Sequence, residues 1–472
     1  MALLTTIGIF LLQVLSGGMF VHLLWPERDL KLLFFKFFLG IGVGLGLSSL
    51  LYFLYLFAFA GRHWFVFIQL AIFLILLAFT IWKENKRGKF SLPRFSLTHT
   101  QIFLAGIAAV VFIVSLLGTA SYLLRRQQGD WDAWMMFNRS ARFIYRDQPH
   151  WLDSFSRQMD PIFHADYPLL LGLNVASGWD GLGTESAYVQ MLQSALFALA
   201  ALGILVSALA SIKSLGQAAL GLIVFWGTPT LVNEGAREMA DLPLAFFILS
   251  TAILIYFYFV YKKPALIALV GLTAGLAAWT KNEGTLFVVA AGIGLMMASL
   301  REKPWRVLFW YALGLAFPFA IVIFFKLFLA PPSDVLSNGA ARSIQQILGI
   351  PRHLEILQYL GRELFYFGGW TNLFGIIPVL LVYFLLFRLP VDKELRSAYI
   401  AGITMLAVQL LGDYGVYLIT PYDLTWHLSY SIERIILQIF PVIAFLILCA
   451  SQIPEVIFEE HLRTHSATDK RG

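Results

Sequence analysis

Two aspartates, Asp130 and Asp132, flank Trp131 and precede Trp134 in the stretch GDWDAWMMFNRSARFIYRD. A carboxylate pair at this spacing can act as a general base on a hydroxyl or amine, hold a divalent cation, or cap a helix. A carboxylate at a membrane boundary is partly desolvated, which raises its basicity toward neutral pH. Tryptophan faces suit a sugar ring and the lipid interface equally. Downstream, HADYPLL places His164, Asp166 and Tyr167 within four residues, with the means to move a proton, position an acceptor, hold a metal or cap a helix. Three further short segments mix acids with bases: Glu234 to Arg237 and on to Asp241, Lys281-Asn282-Glu283, and Asp423 through Glu433-Arg434.

The elements that must position these residues are apolar helices. Of 472 residues, 59% are hydrophobic and only 13% charged, and the mean hydropathy is +0.76. Soluble domains carry roughly 25% charged residues, so a soluble enzyme and a disordered chain are both excluded. About thirteen apolar stretches approach the ~20 residues that cross a bilayer. Four lie between Ala2 and Leu124, five between Glu185 and Leu300, one at Arg306–Ala330 and three between Thr371 and Gln452. The expected fold is therefore all-α, a polytopic transmembrane helical bundle. The N-terminal stretch lacks a basic leader and is too long for a signal peptide, so it reads as a retained helix. The single cysteine, Cys449, rules out an internal disulfide framework and reads as a buried structural thiol.

Lys and Arg concentrate in alternate connections, among them Lys83 to Arg94, Lys262-Lys263, Arg301 to Arg306 and Arg388 to Arg396. By the positive-inside rule that side is cytoplasmic, so the N-terminus is outside and the C-terminus inside. The net charge of +6 then reports topology, and no nucleic-acid partner is needed to explain it. The mixed acid–base segments fall on the outer side. There the first long loop, 125–184, holds a helix-like stretch, Ala133–Tyr145. Trp134, Phe137, Ala141 and Ile144 form its apolar stripe, with Arg139, Arg142 and Arg146 off it, as in an interfacial helix. Tyr167–Trp179 is too short to span and is expected to lie along or dip into the surface. Pro331–Trp370 contains a second amphipathic helix, with Leu354, Leu357, Leu360 and Leu364 set against Arg352, Glu355 and Arg362.

In these features the chain resembles the GT-C superfamily of membrane glycosyltransferases, whose relatives include protein O-mannosyltransferases and aminoarabinose transferases. The resemblance rests on an acid at the outer end of a span (Asp130/Asp132), a following juxtamembrane helix, the HADYPLL opening and the late ERIILQIFP entry. It implies a seven-helix module over 101–330, preceded by three extra helices in 1–100 and followed by a loop and variable helices over 331–472. It implies an inverting glycosyltransferase of the plasma (inner) membrane. Such an enzyme takes sugar from a polyprenyl-phosphate donor to a glycan, lipid or protein acceptor outside.

In that scheme Asp132, or else Asp130, is the base. Arg434, Arg237 and Lys281 bind the donor phosphate, although Arg434 pairing with Glu433 or Asp423 is the plainer alternative. His164, Asp166, Tyr167, Trp131, Trp134 and Glu234 position sugar, acceptor or metal. No cofactor is required, and a divalent metal is a candidate. The competing expectations are a multi-pass transporter and an O-antigen ligase or polymerase-like lipid-carrier enzyme.

Overall fold

Runs of Leu, Ile, Val, Phe and Ala offer the backbone no polar partner in lipid, so each amide must be satisfied inside its own segment. The computed structural model describes residues 1–87, 96–156, 158, 163–300, 303–333, 339–370, 374–389, 391 and 393–459. Lys89, Arg94, Arg301, the beginning of the apolar stretch at Thr371 and the side chain of Lys393 lie outside the described residues.

The chain opens with α1 (Ala2–Leu24), α2 (Leu30–Phe59), α3 (Phe65–Asn85) and α4 (His99–Arg125). Short α5 (Asn138–Arg146) and α6 (Leu170–Leu182) precede α7 (Ala187–Ile212), α8 (Leu215–Trp226) and α9 (Pro229–Ala236). Then come α10 (Asp241–Tyr261), α11 (Pro264–Thr280), α12 (Asn282–Ala298) and α13 (Pro304–Phe324). Last are α14 (Ala340–Ile347), α15 (Ile350–Tyr366), α16 (Ile376–Phe387), α17 (Lys393–Ile419) and α18 (Leu424–Ala450). Among the described residues the only strand-like pairing is an isolated bridge between Arg388 and Ser451.

This is a helical polytopic membrane protein. Nine described helices are long and apolar enough to cross a bilayer, or ten if the bent pair α8–α9 is one span. The expectation of about thirteen also counted α11, α12 and α16, which are shorter. Helices α3 and α4 and the segment Pro304–Leu329 leave most of their apolar surface outward, whereas α10 and α18 are largely enclosed. An apolar exterior around a packed centre is what a lipid solvent selects.

The helices share one continuous core that runs from Phe10 in α1 to Cys449 in α18, and Cys449 is a buried free thiol. α1 and α2 belong to this core and do not stand apart: they pack together, and α2 also packs on α6 and α7. Small residues let α1 and α2 approach closely, as in membrane helix pairs. A Cβ on Gly17 would lie 2.1 Å from the Gly40 carbonyl oxygen, and one on Gly44 would lie 2.1 Å from that of Gln13.

Two local breaks interrupt the helical ladder. α8 and α9 are bent by 68°. Pro229 opens α9, and a proline drives the residue before it out of the helical region, so Thr228 adopts φ −91°, ψ 109°. α11 and α12 are interrupted at Lys281 alone, whose backbone is extended at φ −156°. Both breaks place ionisable side chains at the same end of the bundle.

The glycine packing yields a direct check. Gly44→Leu is expected to lower stability by about 1–3 kcal/mol through overpacking. Gly8→Ala, where a Cβ meets nothing within 4 Å, should leave the thermal unfolding midpoint in detergent unchanged or slightly raised.

Candidate functional site

Asp241 opens α10, where the helix dipole favours an acid in the first turn. Its carboxylate is fully buried and is met from two other elements. Arg434 of α18 donates to Oδ2 through Nε at 2.9 Å and through Nη2 at 2.7 Å. Gln438, one turn further along α18 on the same face, donates to Oδ1 at 2.7 Å. Lys281, carried inward by the break between α11 and α12, reaches Oδ1 at 2.9 Å. Lys281 also pairs with Glu283 at 2.7 Å. A buried carboxylate flanked by two cations and an amide satisfies the condition under which buried charge is tolerated.

Arg434 extends this cluster to the first loop: Nη2 donates to Asp132 Oδ2 at 2.7 Å. The alternative pairing of Arg434 with Glu433 or Asp423 is not what forms. Glu433 instead accepts from the Thr230 hydroxyl at 2.8 Å, and Asp423 caps α18 by accepting from Trp426 N–H at 2.8 Å.

Asp130 belongs to a neighbouring group. It accepts from Tyr122 Oη at 2.8 Å, pairs with Arg126 and contacts Arg237 Nε at 2.8 Å, while Arg237 also holds Glu234. The two aspartates therefore serve different cation groups, Asp130 at the end of α4 and α9, and Asp132 over α10 and α18. Trp131 and Trp134 stand exposed beside them at 44% and 43%.

The loop reaches this position because Gly129 has no side chain. Its φ is +71°, and a Cβ there would lie 2.4 Å from the Arg237 carbonyl oxygen. That same carbonyl accepts the Asp130 N–H at 3.1 Å. Glu238, next in the chain, is buried and receives Asn138 Nδ2 at 3.4 Å. Burial in this apolar seam pushes its carboxyl up to about 9.

After Asp132 the backbone forms a π-helical turn, Ala133–Phe137, that leads into α5. Phe137, Ala141 and Ile144 of the expected stripe are buried, and α5 packs on α6. α6 itself is enclosed by other helices over nearly its whole length. The stripe is an intramolecular seam, with Trp134 alone left outward.

A second zone adjoins the first. Asp166 accepts from Asn282 Nδ2 at 3.1 Å and lies 3.6 Å from Lys326 Nζ. Lys326 also donates to Asn282 Oδ1 at 2.6 Å. Lys326 sits on a second π-helical turn, Phe325–Leu329, that ends α13; such turns are frequent at functional sites. His164 has φ +43° and stacks edge-on against Tyr167, 5.3 Å between ring centroids.

Tyr167, Asn282 and Lys326 of this zone line a cavity of about 520 Å³ between α12, α13, α17 and α18. Its walls are mainly apolar, including Leu286, Phe319, Val322 and Ile435, and Tyr167, Asn282, Glu283, Lys326, Asp413 and His427 are among its polar groups. Tyr167 joins the zones: burial raises its hydroxyl pKa, with further increments from the charges of Glu283 and Asp166, and it also feels Arg434 and Asp132. No residue of α15 is among those lining the cavity. α15 packs instead on α18, with Leu354 and Leu357 exposed at 62% and 53%.

The structure thus brings Asp132 and Arg434 together around Asp241, gathers Asp130, Arg237 and Glu234 beside them, and links Lys281 to both zones. Three important side chains were missed as site residues. Asp241 appeared only as one of several boundary acids. Lys326 and Asp413 each lie inside an expected span, and a lone ionisable residue in an apolar run is itself a signal, because its burial is costly. Among the described residues no three of His, Cys, Asp and Glu converge to hold a metal ion.

No family model, curated protein or solved structure matches this chain.

Variants of the site have three expected outcomes. Asp241→Ala leaves Arg434 and Lys281 buried around a missing charge and should cost about 3–5 kcal/mol in thermal or denaturant unfolding. Gly129→Ala should cost about 1–3 kcal/mol from the left-handed backbone alone. Glu238 holds a proton in the folded chain that the unfolded chain releases above its ordinary carboxyl range. Its contribution is therefore present at pH 5 and is lost as pH rises toward about 9. Glu238→Gln should flatten the fall of melting temperature between pH 5 and pH 9, and an unchanged slope would refute the assignment.

Proposed function

We propose that this protein is an inverting membrane glycosyltransferase of GT-C type. It would move a sugar from a polyprenyl-phosphate carrier to an acceptor on the outer face of the plasma membrane. The reading includes thirteen spans, counting the bent pair once and α11, α12 and α16 as short ones. It takes the N-terminus as outside and the C-terminus as cytoplasmic, from the distribution of Lys and Arg.

The observation that carries this reading is the juxtaposition of an apolar cavity of about 520 Å³ with the carboxylate–cation cluster centred on Asp241. A polyprenyl phosphate is a long apolar chain ending in an anion. The apolar walls suit the chain, and Lys326, held at the cavity wall by Asp166 and Asn282, adds positive charge where the phosphate would sit. Lys281 and Arg434, paired with Asp241, add their positive charge to the same region, as does Arg237 paired with Asp130.

Asp132, held by Arg434 beside exposed Trp131 and Trp134, is the proposed base, and Asp130 is the second choice. The base removes the acceptor proton, the acceptor oxygen or nitrogen attacks the anomeric carbon, and the lipid phosphate leaves with the electrons of the broken bond. A single displacement of this kind inverts the anomeric centre.

A second reading, a transporter, draws on Asp413, a buried acid within α17, and on the broken pair α8–α9. One reconstitution separates the two. The full chain is placed in liposomes with a labelled polyprenyl-phosphate sugar and an acceptor pool. Transfer is expected for the wild type, with a loss of about 10²–10⁴-fold on removing the base in Asp132→Asn. Lys326→Met should raise KM for the donor. Full activity in both Asp132→Asn and Asp130→Asn sinks the base assignment. Solute uptake by donor-free liposomes, without sugar transfer, favours the transporter.

A further inference from the structure

At the other end of the bundle, α1, α2 and α3 enclose a second cavity, of about 510 Å³. α2 runs from this cavity to the site end. There Gly61, just beyond it, donates to Gln148, which in turn donates to Asp180 of α6. Thirty residues of helix at 1.5 Å each put about 45 Å between the two ends.

The walls of this cavity divide by chemistry. Val14, Leu15 and Phe37 form an apolar flank, and His22, Arg28 and Lys36 gather at the polar edge against one carboxylate, Glu84. Glu84 accepts from Arg28 Nη2 through its backbone carbonyl at 3.1 Å and lies 3.1 Å from His22 Nε2. Arg87 approaches the same carboxylate at 3.6 Å.

Lys36 is only 2% exposed. Its ammonium lies 4.9 Å from the Trp25 ring centroid, and it donates to the Glu27 carbonyl. The Nδ1 atom of His22 is buried with no hydrogen-bond partner among the described residues. Glu84 is the one carboxylate among the residues lining the cavity, beside the basic groups of His22, Arg28 and Lys36, and a buried polar atom without a partner marks a place where a ligand group would be welcome.

We propose that this cavity binds one anionic phospholipid, its phosphate at His22, Arg28 and Lys36 and an acyl chain along Val14, Leu15 and Phe37. Phosphate is the chemistry recognised. The lipid is favoured over free phosphate because the apolar flank would otherwise face an ion that offers it nothing to bury. Such a lipid ties α1, α2 and α3 together, independently of the site at the far end.

The test is native mass spectrometry of the full chain in mild detergent with phosphatidylglycerol, phosphatidylcholine or inorganic phosphate. Phosphatidylglycerol should be retained as one additional equivalent over phosphatidylcholine. In Arg28→Gln that retention should weaken about tenfold, the effect of losing one charge-assisted hydrogen bond, and Lys36→Met should abolish it. If Lys36→Met fails to fold, judged by its melting temperature, His22→Gln with Arg28→Gln takes its place. Equal retention of both lipids overturns the proposal, as does unaltered retention in the folded variants. Displacement of the lipid by millimolar phosphate reassigns the site to the free ion and also overturns it.

Discussion

A carboxylate with no water around it must be compensated or it unfolds its surroundings, and Asp241 is such a carboxylate. Its compensation comes from α18 through Arg434 and Gln438 and from the interrupted junction of α11 and α12 through Lys281. These elements are far apart in sequence, so satisfying one charge fixes the relative placement of α10, α12 and α18. The first loop is then pinned by the remaining donor capacity of Arg434, which reaches Asp132. A planar guanidinium can serve two carboxylates at once in fixed directions; a lysine at 434 would hold either one as a point charge.

The rest of the polar end is organised around what this charge requires. Breaks in helices are costly in a membrane because they release backbone groups, and they persist where protein or water satisfies those groups. Here the bend between α8 and α9 presents Arg237, itself paired with Glu234, to Asp130, and the one-residue gap at Lys281 serves Asp241. The π-helical turns after Asp132 and around Lys326 re-aim their neighbours in the same region. Beside this charged cluster lies a cavity with mainly apolar walls. The proposed reading sets the apolar chain of a lipid-linked substrate against these walls and its phosphate at the polar edge that Lys326 lines.

The opposite end of the bundle obeys the same rule with a different result. His22 and Arg28 pair with Glu84 at the edge of a cavity that Lys36 also lines. At the Asp241 end the charges are closely matched by partners within the chain, which makes that cluster structural as well as chemical.

Apolar content and periodic runs were enough to give an all-helical membrane protein and the location of almost every helix, because in lipid the backbone has no other way to satisfy itself. The sequence also marked polar residues that meet in space: Asp130, Asp132, Glu234, Arg237, Lys281 and Arg434 all stand out against an apolar background. Partner choice was not legible. Whether Arg434 holds Glu433, Asp423, Asp132 or Asp241 depends on the rotation of α18 and the packing of α10, and side-chain spacing along one helix carries no record of a neighbouring helix. The stripe on α5 had the period of an interfacial helix, yet it packs on α6, since protein and lipid offer an apolar face the same transfer energy. Composition and period thus determined which segments are helices and which residues are expensive to bury. Tertiary structure alone decided how Asp132 and Asp241 are compensated, because that is a matter of distance between segments 40 to 302 residues apart.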